Sequence, residues 1–248
     1  MELVYKVYED DLQSQKYYLS LLEHTRNIPI NYLLSRNCLF IPNNNYIRYY
    51  LEDRCFAHNA ELYRNEQCLW TLFFIFPVQD LSGEVVGLVG WDAKNKYLEE
   101  IEEGVSLPTY KVSSKNIFNR EQYFLSDVDL LRKKFDFRSI VITDGVFDSV
   151  ALNCRNIPAI SLLGSTVSSE ILYFLRWYNR IFVSADNDDA GLKLYKKLKR
   201  ALPNVYRIKQ NKVKDIEEYL REDGLDGDAT KFLQNVIYDV NYKSDIEL

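Results

Sequence analysis

Between Ser139 and Ile208 short apolar runs alternate with helical patterns, and this alternation limits the fold more than any other feature of the chain. "SIVIT" (139–143), "AISLL" (159–163) and "RIFVS" (180–184) have the length and β-branched content of buried strands, and "NVYRI" (204–208) is a fourth. Between them, "VFDSVALNC", "SSEILYFLRWY" and "AGLKLYKKLKRAL" carry apolar residues at helical spacing. Parallel strands need crossovers of about this length. The pattern therefore predicts βαβ units and a mostly parallel α/β sheet.

Acidic residues fall where those strands end. Asp144-Gly145 closes the first, with Asp148 one turn later; Asp186 and Asp188 close the third; Asp215, Glu217 and Glu218 follow the fourth in "VKDIEEYL". Beyond the second strand come Gly164, Ser165 and Thr166, small enough to line a phosphate. In open α/β sheets ligands bind beyond the carboxyl ends of the strands, so these groups converge on one rim. Asp186, Asp188 and Asp189 around Asn187 repel one another unless a helix N-terminus, solvent or a cation offsets the charge. Asp189 is assigned to helix capping, which Asp does well. Three acidic strand ends together point instead to Mg²⁺ or Mn²⁺, hard ions that take oxygen ligands. Two such ions about 3.5–4 Å apart suit phosphoryl transfer.

Net charge is −5, which argues against simple tight duplex binding, since phosphate contacts favour basic proteins. Cys38, Cys55, Cys68 and Cys154 form no CxxC pair, so all four read as free thiols and no zinc is expected. His24 and His58 read as packing or surface residues. No apolar run approaches the ~20 residues of a membrane span, and the N-terminus lacks a signal-peptide pattern. A cytoplasmic protein with no membrane partner is expected.

Upstream, Asp11–Leu34 has helical spacing, with Pro29 opening a second short helix. "NCLFIPNNNYIRYYLEDRCF" reads as a turn followed by an amphipathic segment. "CLWTLFFIFPVQ" and "VVGLVGWDAK", joined by "DLSGE", read as a hairpin. "NKYLEEIEEG" reads as a solvated acidic excursion. The charged stretch from Arg132 to Arg138 separates the two halves, and "GDATKFLQNVIYDV" reads as a last helix before a polar, fraying tail.

These residues also resemble a known family. "IVITDGVFDSVAL" resembles the first motif of the TOPRIM fold, "SLLGST" its middle Gly-Thr-like turn, and "SADNDDAG" its Asp-x-Asp motif. "KDIEEYL" is similar to the Lys-Asp-x-Asp-Glu segment of DnaG-type primases. "FFIFPVQDLSGEVVGLVGWD" and "LPTYKVSSKNIFNREQYF" resemble the N-terminal subdomain of those primases. The resemblance covers about Leu69 to Leu220. It implies an α+β N-terminal subdomain over 1–135, a TOPRIM domain over 136–222, and a short helical C-terminal segment over 223–248.

The resemblance carries the family's metal ligands onto Asp186, Asp188 and Asp148, and its later acidic pair onto Asp215 and Glu217, where the family usually has Asp. Its acid–base or metal-binding Glu becomes Asp144, one methylene shorter. Gly145, Gly164, Ser165 and Lys214 become phosphate or nucleotide contacts, with Lys193, Lys196 and Lys197 as further candidates. Tyr110, Ser113 and Arg120 match the template groove, while Trp91 and Thr109 stand where the family has cations. Lys111 and Lys115 compensate in part, and Trp91 is either a base-stacking residue or core.

What the resemblance implies is a primase-type nucleotidyltransferase; the brevity of the chain points to a phage or mobile-element origin. It would make short RNA primers from ribonucleoside triphosphates on single-stranded DNA, with a replicative helicase or other replication protein as partner. No zinc module and no full helicase-docking domain are expected on this chain. The alternatives are a metal-dependent TOPRIM nuclease and a weakly active homologue that works by binding proteins.

Overall fold

The computed structural model describes residues 2–41, 63–64, 67–68, 73–79, 82–83, 85–92, 123–124, 127–134, 138–162, 167–186, 188–222 and 227–248. The chain forms two compact units, one from Met1–Glu23 with Pro29–Glu121 and one from His24–Ile28 with Gln122–Leu248.

In the first unit, helix α1 (Glu2–Arg26, whose last turn belongs to the second unit) and helix α2 (Ile30–Ser35) precede strand β1 (Leu39–Ile41). A two-stranded ribbon, β2 (Tyr63–Arg64) with β3 (Gln67–Cys68), stands apart from the main sheet. The expected hairpin is β4 (Phe73–Gln79) against β5 (Val85–Asp92), antiparallel, with a register shift at Val78/Gln79. Leu39–Ile41 departs from the reading of a turn: it pairs antiparallel with β4 as the edge of a three-stranded sheet.

That edge is sealed by one side chain. Buried Gln15 donates from Nε2 to the Phe40 carbonyl at 2.9 Å and accepts the Phe40 N–H at 2.7 Å. Both backbone groups that the edge leaves without a strand partner are thus satisfied. The rings of Tyr18, Phe40, Phe74 and Trp91 follow one another at centroid distances of 4.6, 4.7 and 5.9 Å.

The second unit holds a six-stranded sheet. Its elements are β6 (Tyr123–Phe124), α3 (Val128–Lys133), β7 (Ser139–Thr143), α4 (Val146–Asn153), β8 (Ala159–Leu162), α5 (Ser169–Leu175) and β9 (Arg180–Ser184). Then come α6 (Asp189–Ala201), β10 (Val205–Lys209), α7 (Ile216–Glu222), α8 (Asp228–Tyr238) and β11 (Ile246–Glu247). The strand order is β11-β10-β9-β7-β8-β6. Five strands run parallel, and only β6 is antiparallel, on β8.

Alternate strand residues face opposite layers. Ile140, Ile142, Ile181 and Val183 pack on one side with α3, α5 and α6. Val141 and Phe182 pack on the other with α4, α7 and α8. Both faces are covered, which is why the strands read as unbroken apolar runs.

The tail does not fray. Ile246 and Glu247 join β10 in parallel register, the Leu248 N–H donates to the Lys209 carbonyl at 2.9 Å, and Ile246 is 1% exposed. Two residues are too few to announce a strand. The pairing comes from the open edge of β10.

Candidate active site

The chain leaves β7 through α4 on one face of the sheet and leaves β9 through α6 on the other. These strands are neighbours, from Ser139 opposite Arg180 to Thr143 opposite Ser184. Loops diverging from adjacent parallel strands open a crevice at their carboxyl ends, the general ligand site of such sheets. Asp144 and Asp148 stand on one side of it, Asp186 and Asp188 on the other.

Backbone groups fix these side chains. Thr143 Oγ1 donates to the Gly145 carbonyl and Ser161 Oγ to that of Asp144, both at 3.0 Å, which pins the turn after β7. Asp144 Oδ2 accepts the Asp186 N–H at 3.0 Å, bridging the crevice. Asp148 Oδ1 accepts the Glu217 N–H at 3.1 Å. Asp188 caps α6, its Oδ1 accepting the Gly191 N–H at 2.8 Å, and Asp215 does likewise for the Glu218 N–H at 2.8 Å. Four aspartates thus each spend one oxygen on a backbone N–H. The cap expected of Asp189 belongs to Asp188; Asp189 is exposed in the first turn.

Two glycines permit the close approaches. A Cβ on Gly145 would collide with Asp148 Oδ2, and one on Gly191 would collide with the Asp186 carbonyl. The second contact is with backbone, so α6 can lie against the Asp186 peptide only with glycine there.

The electrostatics agree with crowding. Burial pushes the Asp148 carboxyl well above the usual carboxylate range, and Asp215, Asp144 and Asp186 push the same way; only the Glu217 N–H opposes them. Asp186 is raised too, by burial first and then by Asp144, Asp215 and Asp188, with Lys214 opposing. Among the described residues no group of three or more acidic, histidine or cysteine side chains forms a ready-made metal cage. The groups that raise one another are nevertheless all carboxylates, an oxygen donor set that fits a hard divalent cation and not zinc's preferred nitrogen and sulfur.

Glu217 behaves differently from the reading that its carboxylate serves the rim. It is buried, and Oε2 accepts from Arg26 Nη1 at 2.8 Å, while the Arg26 guanidinium lies 3.9 Å from the Phe147 ring centroid. No local signal marks Arg26, which is 191 residues from Glu217. The Lys214 N–H donates to Glu218 Oε2 at 2.6 Å, completing the start of α7. Trp91 is half-buried on β5, opposite Phe74. Gly164, Ser165, Tyr110, Lys111, Ser113, Lys115 and Arg120 lie outside the described residues.

Comparison with known proteins follows the same division. Residues 141–220, which contain every carboxylate of the rim, match the Toprim-like family. This part of the chain has a Toprim-like α/β fold. Over a longer span, a DNA primase of Borreliella burgdorferi is 28% identical across 167 residues, 65% of this chain and 30% of that protein. The chain thus spans under a third of that relative's length.

Among solved structures, a DnaG primase catalytic domain bound to single-stranded DNA superposes with a TM-score of 0.66 at 17% identity, over 94% of this chain and 78% of the other. The RNA polymerase domain of the Mycobacterium tuberculosis primase DnaG gives 0.66 at 16% identity, over 96% and 83%. The chain has the fold of a DnaG-type primase catalytic core. No helix among the described residues is long and apolar enough to cross a membrane.

Proposed function

We propose that this chain is the catalytic core of a primase-type nucleotidyltransferase. It joins ribonucleotides into short primers on a single-stranded DNA template and releases pyrophosphate. One observation carries the reading: Asp144, Asp148, Asp188 and Asp215 are each anchored through one oxygen by a backbone N–H around a single crevice. Such anchoring fixes charged side chains in advance of the reaction, which is what charge stabilisation in a transition state requires.

Asp186, Asp188, Asp148 and Asp215 would hold Mg²⁺ or Mn²⁺, which supplies activation of the attacking hydroxyl and neutralisation of the leaving pyrophosphate. Asp144, tied through Oδ2 to the Asp186 N–H, presents Oδ1 to hold an ion or to accept the hydroxyl proton. Glu217 acts through its backbone N–H, which positions Asp148, while Arg26 takes its carboxylate. Lys214, which opposes the rise of the Asp186 carboxyl, offers a cation to the triphosphate. Gly145, Gly164 and Ser165 serve the same phosphates. Tyr110, Lys111, Ser113, Lys115, Arg120 and Trp91 contact the template. The reading includes a replicative helicase or other replication protein as partner and the cytoplasm of a bacterium or phage-infected host as the place of action.

The test compares wild type with Asp186→Ala/Asp188→Ala on single-stranded DNA with ribonucleotides and Mg²⁺ or Mn²⁺. Short RNA products that disappear in the double variant are expected. Metal-dependent shortening of the DNA without primers moves the assignment to a nuclease. Absence of both, with no divalent ion bound by calorimetry, overturns the metal site.

A further inference from the structure

The helices α5 and α6 lie side by side on one face of the sheet. They share a core, Ile171 and Leu175 with Leu194 and Leu198, and Asn204 Nδ2 after α6 donates to the Tyr178 carbonyl after α5 at 2.5 Å. Their outer faces are unusual for a chain of net charge −5. Lys193, Lys196, Lys197 and Arg200 stand at i, i+3, i+4 and i+7, one face of α6 about 10 Å long. All four are exposed, and among the described residues none enters an ion pair. On α5 and the turn after it, Tyr173 is 65% and Trp177 56% exposed, packed edge to face at 6.5 Å, with exposed Arg176 between them in sequence.

Lysines on a helix are ordinarily just solvated. Two large aromatics left in water on the same helical layer are not explained that way. A cationic stripe that pairs with nothing anionic among the described residues, on the same helical layer as exposed rings, matches the two faces of a single strand: phosphates along one side, unpaired bases along the other. A duplex offers the first and hides the second.

We infer that the outer face of α5 and α6 is a second nucleic-acid contact, outside the carboxylate rim. On it a single-stranded segment lays its phosphates along Lys193, Lys196, Lys197 and Arg200 and stacks bases on Trp177 and Tyr173. The inference is independent of which reaction the rim performs.

The test is binding of labelled oligothymidine by fluorescence anisotropy across a salt series, in chelator so that the rim's chemistry does not enter. Lys193→Gln/Lys197→Gln/Arg200→Gln weakens binding at least about tenfold and flattens the log–log salt slope by about 0.7 per phosphate contact removed. Trp177→Ala weakens it by about fivefold to a hundredfold. Lys231→Gln, at an exposed lysine of α8 on the opposite layer, leaves it unweakened, and circular dichroism confirms that every variant is folded. Wild-type affinity and slope in the stripe and Trp177 variants overturn the inference. So does a wild-type chain that binds no oligothymidine, or a duplex that competes as well as the single strand. Displacement by polyglutamate at equal strength overturns it in favour of an acidic protein partner.

Discussion

Asp148 joins stability to function at a single carboxyl group. Its acid form is favoured in the folded chain because burial and three neighbouring aspartates penalise the charge. A raised carboxyl contributes stability that is fully present below the ordinary carboxylate range and is lost as pH rises through the raised value. In chelator, the wild-type chain is therefore expected to lose stability on this group's account as pH rises above the ordinary carboxylate range. Asp148→Asn keeps an oxygen for the Glu217 N–H and removes the charge. It should stabilise the fold at neutral pH in chelator, read as a higher melting temperature, while abolishing product formation. A variant that melts at or below the wild-type temperature sinks this account.

The sequence made the aspartates legible, since acidic residues at three strand ends need no tertiary knowledge to be noticed. It did not tell which aspartate caps α6, because Asp188 and Asp189 differ only in whether they precede or enter the first turn.

At the scale of elements, the strands that could be read were those buried on both faces. "SIVIT" and "RIFVS" are buried along their whole length, with unbroken apolar centres at Ile140–Ile142 and Ile181–Val183, because helices cover each side. The segments Leu39–Ile41 and Ile246–Glu247 carry no such signal, being short edges whose strand character comes from β4 and β10. The tail gives a direct check. Ile246 is 1% exposed in the same core as Phe182 and Ile208. Ile246→Ala should cost about 2–5 kcal/mol by the cavity it leaves, measured by urea denaturation. A frayed tail would show a loss near zero.

At the scale of the whole molecule, the alternation of strands and helices carried the α/β class. What the sequence kept hidden was which distant pieces meet. Arg26 and Glu217 are both largely buried, at 12% and 5% side-chain exposure. Removing one member of such a pair leaves a buried charge uncompensated and costs about 3–5 kcal/mol. Arg26→Ala should therefore destabilise the chain by that order, and Arg26→Ala/Glu217→Gln should recover a large part of it. Chemical denaturation of the two variants and of Glu217→Gln closes the cycle, and strict additivity would show that the two side chains are not coupled.

The last turn of α1 has a consequence for anyone who cuts this chain. Arg155 donates from Nη2 to the carbonyls of Asn27 and Leu220, and Arg221 donates to that of Thr25. The body that bears the carboxylates is thus one object in space and two pieces in sequence. A fragment excised at Gln122 keeps Asp144, Asp148, Asp186 and Asp188 but leaves Arg26 behind, and with it the guanidinium that faces Glu217. Ribosomal synthesis meets the same gap in time: His24–Ile28 emerges early, waits past the middle of the sequence for Phe147 and Arg155, and longer still for Glu217 and Arg221.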